Sequence, residues 1–180
     1  HDDAAGVPAT FVGHPLLDDP RGGNVDPDCD LGLFPGSRPQ EIAQHLPILL
    51  ATAARLQRSR PGFRLLVSQA PTIAAAAMQR MLRAAGFYPD SVLVSEAAGI
   101  AMRRCRALLV VSGTATLEAA LAERPFAVLY RTSRLNFAVA RRLVRVPSVV
   151  LANLVVGERV VREYLQDDAN PVALAVEVER

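Results

Sequence analysis

Leu31-Gly32-Leu33-Phe34-Pro35-Gly36-Ser37-Arg38-Pro39-Gln40-Glu41 is the stretch from which the fold can be read. A short apolar run stops at Pro35-Gly36, Ser37-Arg38 follows, and an apolar-periodic segment opens behind Pro39. That is the order strand, tight turn, helix start. Pro35 removes a backbone donor and Gly36 supports dihedrals that other residues avoid, so the pair ends the strand. Ser37 or Arg38 falls at the helix N-cap, and Pro39 sits where a missing N–H costs little. A helix N-terminus leaving a strand's carboxyl end is an anion site, to which Arg38 adds a planar fork for phosphate oxygens. A plain strand-to-helix turn with a solvated arginine fits the same residues. The turn is neither a P-loop, lacking the Gly-Lys-Ser/Thr ending, nor the G-x-G-x-x-G dinucleotide fingerprint.

Working outward, the periodicity predicts a strand over 31–34 and a helix over 40–58, with Ile42, Leu46, Leu49, Leu50, Ala53 and Leu56 at helical spacing. It then gives a strand over 63–68, a helix over 71–85 closed by Gly86, a strand over 91–95 and a short helix over 97–104. Residues 106–111 form a strand, fully apolar after Arg106, of the buried parallel type. Behind it comes a second strand–turn–helix junction, Ser112-Gly113-Thr114-Ala115-Thr116-Leu117-Glu118, dense in hydroxyls. Further strands are read at 125–130 and 148–151, helices at 133–144 and 159–166, and a tail from Asn170. This alternation implies an α/β domain with a mostly parallel, doubly wound, Rossmann-like sheet. Ligands of such sheets lie outside the carboxyl ends of the strands, the edge from which both turns, 35–38 and 112–114, depart. Two such turns at one edge favour a nucleotide-phosphate site.

At 180 residues the chain fits one domain, and an apolar fraction of 51% suits a globular α/β protein. All 20 basic residues are arginine; the net charge of +2, without a dense basic run, argues against nucleic acid as a partner. Cys29 and Cys105 lie far apart without a Cys-x-x-Cys and read as free thiols; no metal site is expected. No stretch approaches the roughly 20 apolar residues of a membrane span. Residues 1–30 read as a linker or hinge segment with a first short strand, closed by Gly13-His14-Pro15. Residues 31–170 read as the nucleotide-binding domain, and 171–180 as a tail. His14 fits a ligand, a base or a structural turn histidine, whereas His45, in mid-helix, reads as structural.

Gly13-His14-Pro15-Leu16-Leu17-Asp18, Phe34-Pro35-Gly36-Ser37-Arg38-x-x-Glu41-Ile42 and Ser112-Gly113-Thr114-Ala115-Thr116-Leu117-Glu118 occur in that order. Tyr130-Arg131, Asn153-Leu154 and Val161-Arg162-Glu163-x-x-Gln166 follow. The ordered set closely resembles the carboxyl-terminal half of lipid-A-disaccharide synthases, GT-B-fold glycosyltransferases of Gram-negative bacteria. The resemblance implies transfer of 2,3-diacylglucosamine from UDP to 2,3-diacylglucosamine 1-phosphate in lipid A (lipopolysaccharide) biosynthesis, inverting and metal-independent, with no cofactor beyond the UDP-sugar substrate. It also implies that this half holds the donor. Ser37 and Arg38 would contact the diphosphate, Ser112, Gly113 and Thr114 would line the cleft, and Glu118 would hold the ribose hydroxyls. Asn153, Glu163 and Gln166 match polar family positions near the donor, and Gly13, His14 and Pro15 would lie at the interdomain hinge.

The same resemblance puts the acceptor site and the catalytic base in an amino-terminal half outside these 180 residues, together with a final helix. This chain alone would therefore not turn over. Departures from the family pattern are Arg131, where lysine is common, and Val161-Arg162-Glu163 in place of Val-Pro-Glu, which alters the helix start expected there. With diacylated substrates, a cytoplasmic enzyme peripheral on the anionic inner membrane is expected, and the arginine-rich, apolar segment Arg131–Arg145 is read as its docking helix. Two rival readings stand beside this one. Another GT-B enzyme, an N-acetylglucosaminyl transferase or a UDP-sugar epimerase, shares a ribose-binding glutamate but not the quoted motif pair. A non-catalytic nucleotide-binding module would lack an amino-terminal half.

Overall fold

The apolar run ahead of Pro35 forms β1 (Cys29–Phe34), which in the computed structural model lies inside a six-stranded sheet. The structure describes residues 25–88, 92–95, 98–133, 137, 148, 150, 153 and 157–180. After β1 come α1 (Pro39–Ser59), β2 (Leu65–Ser68), α2 (Ala75–Ala84), β3 (Val92–Ser95) and α3 (Ala98–Arg103). Then follow β4 (Cys105–Val111), α4 (Ala115–Leu121), β5 (Phe126–Tyr130), β6 (Glu163–Leu165), a 3-10 turn (Gln166–Asp168) and α5 (Pro171–Val178). The strand order is β3-β2-β1-β4-β5-β6 and every pairing is parallel. The chain winds outward one way from β1 and the other way from β4, so a switch point lies between them, where a crevice opens at the carboxyl ends.

Period-two alternation sorts the strand side chains onto two cores. Leu31, Leu33, Val67, Leu109 and Leu129 pack with Leu46 and Leu49 of α1, Met78 and Leu82 of α2, and Leu174 of α5. Leu66, Leu108 and Val110 face Ala101 and Met102 of α3 and Ala119 of α4. Helices thus cover both faces, and the sheet is doubly wound. Strands buried on both faces carry near-continuous apolar runs. At Gly32 a Cβ would lie 2.8 Å from Cys105 Sγ and 2.7 Å from the Phe34 ring, so the close approach of β1 to β4 requires a residue without one.

Cys29 and Cys105 are register partners on β1 and β4 and both are free thiols, as expected. Burial pushes the Cys29 thiol up to about 11 and Cys105 higher still, so neither offers a thiolate near neutral pH. At the amino edge, Arg104 grips Asp28 through two hydrogen bonds of 3.0 and 2.6 Å, which lowers the Asp28 pKa. Asp30 accepts the Arg64 N–H at 2.8 Å, joining the starts of β1 and β2.

Three expectations are corrected. The sixth strand is Glu163–Leu165, where a helix over 159–166 was expected, and the described residues 148 and 150 of the predicted strand at 148–151 are not in a strand. β-branched Val160 and Val161 disfavour a helix, and β5 offers a free edge that pairs Val128 with Glu163 and Tyr130 with Leu165. Only three residues pair, too few to show alternation. The expected tail is a helix: Asn170 caps α5 by accepting from the Val172 and Ala173 amides, and Pro171 takes the first helical position. Eight residues, largely apolar, carry no clear helical period. The predicted helix over 133–144 lies, except for residues 133 and 137, outside the described residues.

His45 ties α1 to the end of β5. Its Nε2 accepts the Arg131 N–H at 3.0 Å, so the ring proton sits on Nδ1 and is donated to the Glu41 carbonyl at 2.7 Å. The ring is 1% exposed and packs 5.8 Å from the Tyr130 ring, centroid to centroid. Burial holds its pKa below the ordinary 6.5. Folding thus favours the neutral ring: the contribution is complete above the unfolded value and is lost as pH falls from about 6.5 toward the lower folded pKa. Denaturation followed across this range is expected to show stability declining below pH about 6.5, with a shallower slope in His45→Gln. Equal slopes in both proteins would mean that the ring does not couple protonation to folding.

Candidate functional site

The turn after β1 is built by backbone constraints. Gly36 adopts φ +100°, and a Cβ there would stand 2.9 Å from Glu41 Oε2, so both the conformation and the space call for glycine. Arg38 is the N-cap of α1 with extended backbone (φ −92°, ψ 137°), and Pro39 opens the helix, as the sequence predicts. The Arg38 side chain is 80% exposed and reaches back to Glu41, with Nη1 2.8 Å from Oε1. Such an exposed pair adds little stability. Its consequence is placement, because it holds a guanidinium over the start of α1, where the unpaired first-turn amides already favour an anion.

The neighbouring turns complete the cleft. After β2, the Gln69 amide donates to the Ser95 carbonyl at 2.8 Å and its side-chain Nε2 to the Ile73 carbonyl at 3.0 Å, which fixes the loop into α2. From that loop the Thr72 hydroxyl donates to the Ser37 carbonyl. After β4, the Ser112 amide donates to the Leu129 carbonyl at 3.1 Å, and the Gly113 carbonyl accepts the Thr116 hydroxyl at 2.8 Å. Thr114 is the N-cap of α4, which sets Glu118 on its first turn, half-buried. Gly99 of α3 lies across from it: a Cβ at Gly99 would be 3.9 Å from Glu118 Oε2. Among the described residues the Glu118 carboxylate has no hydrogen-bond or ion-pair partner.

Ser37, Arg38, Ser112, Gly113, Thr114 and Glu118 line one cleft of about 370 Å³ at the β1–β4 switch point. The turns that were far apart in sequence are therefore brought together. Donors for an anion gather on the α1 side and a free carboxylate stands on the α4 side, a set able to hold a phosphate at one end and hydroxyls at the other.

Asn153, Glu163 and Gln166 are not among the residues lining this cleft. Asn153 is 3% exposed; its Oδ1 accepts the Val161 N–H at 2.8 Å, and its Nδ2 donates to the Val161 carbonyl and to Glu163 Oε1, both at 2.9 Å. The Ser148 hydroxyl also donates to that Glu163 carboxylate. Gln166 brackets Thr132, accepting its N–H at 2.8 Å and donating to its carbonyl at 3.1 Å. These side chains hold backbone around β6. Gly13, His14 and Pro15 lie outside the described residues.

The sequence reading gave no role to Glu41 or to the Ser68-Gln69-Ala70-Pro71 turn, which also line the cleft. A signal for each was present: Glu41 stands three residues beyond Arg38, a spacing that pairs side chains on a helix, and the turn ends a strand of the same parallel sheet.

Comparison with known proteins bears on the family and the fold. A family model described as lipid-A-disaccharide synthetase matches residues 2–179. Lipid-A-disaccharide synthase of Geobacter sulfurreducens is 37% identical over 187 residues, covering 98% of this chain and 48% of that protein. The synthase of Anaeromyxobacter dehalogenans is 39% identical over 188 residues, covering 99% and 49%. The chain spans about half the length of the curated relatives it matches. Among solved structures, Escherichia coli ADP-heptose heptosyltransferase II, a GT-B glycosyltransferase, matches with a TM-score of 0.56 over 91% of this chain and 49% of that one. At 15% identity that likeness speaks to fold alone, and the fold is one Rossmann-like half of a GT-B fold. With the family model running over nearly its whole length, this chain belongs to the lipid-A-disaccharide synthetase family of glycosyltransferases.

Proposed function

We propose that this chain is the donor-binding half of a lipid-A-disaccharide synthase, holding UDP-2,3-diacylglucosamine for transfer to 2,3-diacylglucosamine 1-phosphate. The observation that carries the reading is the convergence of Arg38 and the α1 N-terminus with Glu118 in one cleft at the switch point. In this proposal the diphosphate lies against Ser37, Arg38 and the first turn of α1. The Ser112-Gly113-Thr114 turn lines the middle, and Glu118 accepts from the two ribose hydroxyls. As the glycosidic bond to UDP breaks, negative charge grows on the diphosphate, and donors already aimed there stabilise the departing group without reorganising. Inversion at the sugar carbon, metal-independent in this reading, requires a base on the acceptor hydroxyl. That base belongs to the partner half of the two-domain enzyme, so the chain alone binds donor without turning it over.

The apolar surface of α1 and α2 supports the expected membrane partner. A groove of about 530 Å³ lined by Leu46, Leu50, Ala54 and Met81 runs between the two helices. Arg58 also lines it, Arg55, Arg80 and Arg83 are exposed elsewhere on the same two helices, and the only acidic residue of either helix, Glu41, is paired with Arg38. An anionic leaflet attracts such a face at about 1 kcal/mol per arginine near the surface. Of the segment Arg131–Arg145 only residues 131–133 and 137 are among the described residues, whereas both of these helices are described throughout.

Calorimetry tests the donor site. Arg38→Ala is expected to weaken UDP by roughly 10- to 100-fold and uridine far less, since a charge-assisted contact contributes about 1.5–3 kcal/mol. Glu118→Gln should weaken UDP and uridine while leaving 2′,3′-dideoxyuridine nearly unchanged. Equal losses of UDP and uridine in Arg38→Ala, or of all three ligands in Glu118→Gln, would remove these residues from their roles. For the membrane face, changing Arg55, Arg58, Arg80 and Arg83 to Gln should abolish salt-sensitive co-sedimentation with anionic vesicles. Binding that survives the substitutions would assign docking to another surface.

A further inference from the structure

We propose that Gln166 and His45 are positioning residues that clamp the Arg131-Thr132 backbone, so that Arg131 serves as a second cation for the donor diphosphate beside Arg38. The inference rests on the donor reading above and extends it to residues that do not line the cleft. Two consecutive backbone amides just past β5 are held by side chains from different elements. The Arg131 N–H is taken by His45 Nε2 at 3.0 Å, from α1, and the Thr132 N–H by Gln166 Oε1 at 2.8 Å, from beyond β6. Gln166 also donates to the Thr132 carbonyl at 3.1 Å, so both ends of that residue's backbone are gripped. Gln166 sits at φ +52°, a left-handed conformation that a glutamine adopts only at a cost, which the two bonds to Thr132 offset.

The place so fixed is the carboxyl edge of the sheet. β5 pairs with β4, and the Ser112 amide donates to the Leu129 carbonyl, so Arg131 follows directly on the strand beside the Ser112-Gly113-Thr114 turn. The Arg131 side chain is exposed, and among the described residues its guanidinium has no carboxylate partner. His45 links this cation to the first turn, because its other nitrogen donates to the carbonyl of Glu41, the residue that holds Arg38. One hydrogen-bonded path thus spaces the two arginines across the switch point. A cation on a clamped backbone loses less freedom on meeting a phosphate than one on a loose loop.

The test is a double-mutant cycle read by calorimetry with UDP and uridine on the chain, with thermal melting of every variant. Arg131→Gln is expected to weaken UDP about tenfold and uridine little, as for one charge-assisted contact. Gln166→Ala should cost about 3- to 10-fold on UDP alone, and Gln166→Glu, which keeps the acceptor for Thr132 but loses the donor, should recover part of it. Because Gln166 acts through Arg131, the double variant should be no weaker for UDP than Arg131→Gln within about twofold. Additive losses, or equal losses of UDP and uridine, would overturn the proposal. If Gln166→Ala fails to fold, Gln166→Glu and His45→Gln carry the cycle. Arg38→Ala separates the two readings: selective loss of UDP there, without any in Arg131→Gln, overturns this inference alone, whereas no loss in either removes the donor reading beneath it.

Discussion

The parallel pairing of β1 with β4 is the contact on which the remaining architecture depends. It joins residues more than seventy positions apart, Cys29 with Cys105 and Phe34 with Val110, and makes the two halves of the winding diverge from one line. Gly32 permits the approach, since any side chain there would press on Cys105 and Phe34. Once these strands lie side by side, the turns that end them must open into the same crevice. The Pro35–Arg38 turn and the Ser112–Thr114 turn become neighbours through topology, with no direct attraction between them required.

The cleft that results is electrostatically divided. Arg38 and the amino end of a helix of 21 residues occupy one side, and a carboxylate on the first turn of α4 occupies the other. Glu41 at first sight opposes anion binding, but its hydrogen bond to Arg38 keeps the guanidinium over the helix start. The rest of the carboxyl edge is braced by neutral hydrogen bonds. His45, Asn153 and Gln166 each bind backbone groups on both donor and acceptor sides, an economical way to fix loops that no strand continues. The reactive-looking residues elsewhere are quiet for a physical reason: both thiols are buried in the sheet and held protonated.

Much of this was legible in the sequence because local and global signals agreed. Continuous apolar strands, helix starts marked by Pro39 and Thr114, and Gly36 at a left-handed position all pointed to one doubly wound sheet. The carboxyl-terminal part was read less well. β6 is three residues at an edge, visible only through its pairing with β5, and α5 is short and largely apolar, announced only by Asn170-Pro171. The polar residues there were also harder to read. The resemblance puts Asn153, Glu163 and Gln166 near the donor, and in the structure they bond to backbone groups, to Ser148 and to one another, contacts that depend on which loops meet in space.

The central claim is that a nucleoside diphosphate lies across the β1–β4 switch point, phosphates toward α1 and ribose toward α4. A crystal structure of the chain with UDP tests it most directly. The account predicts diphosphate oxygens within about 2.7–3.2 Å of the Arg38 guanidinium or the first amides of α1, and both ribose hydroxyls on the Glu118 carboxylate. UDP bound in the reverse direction, with its ribose at Arg38, or seated away from these two turns, would contradict it.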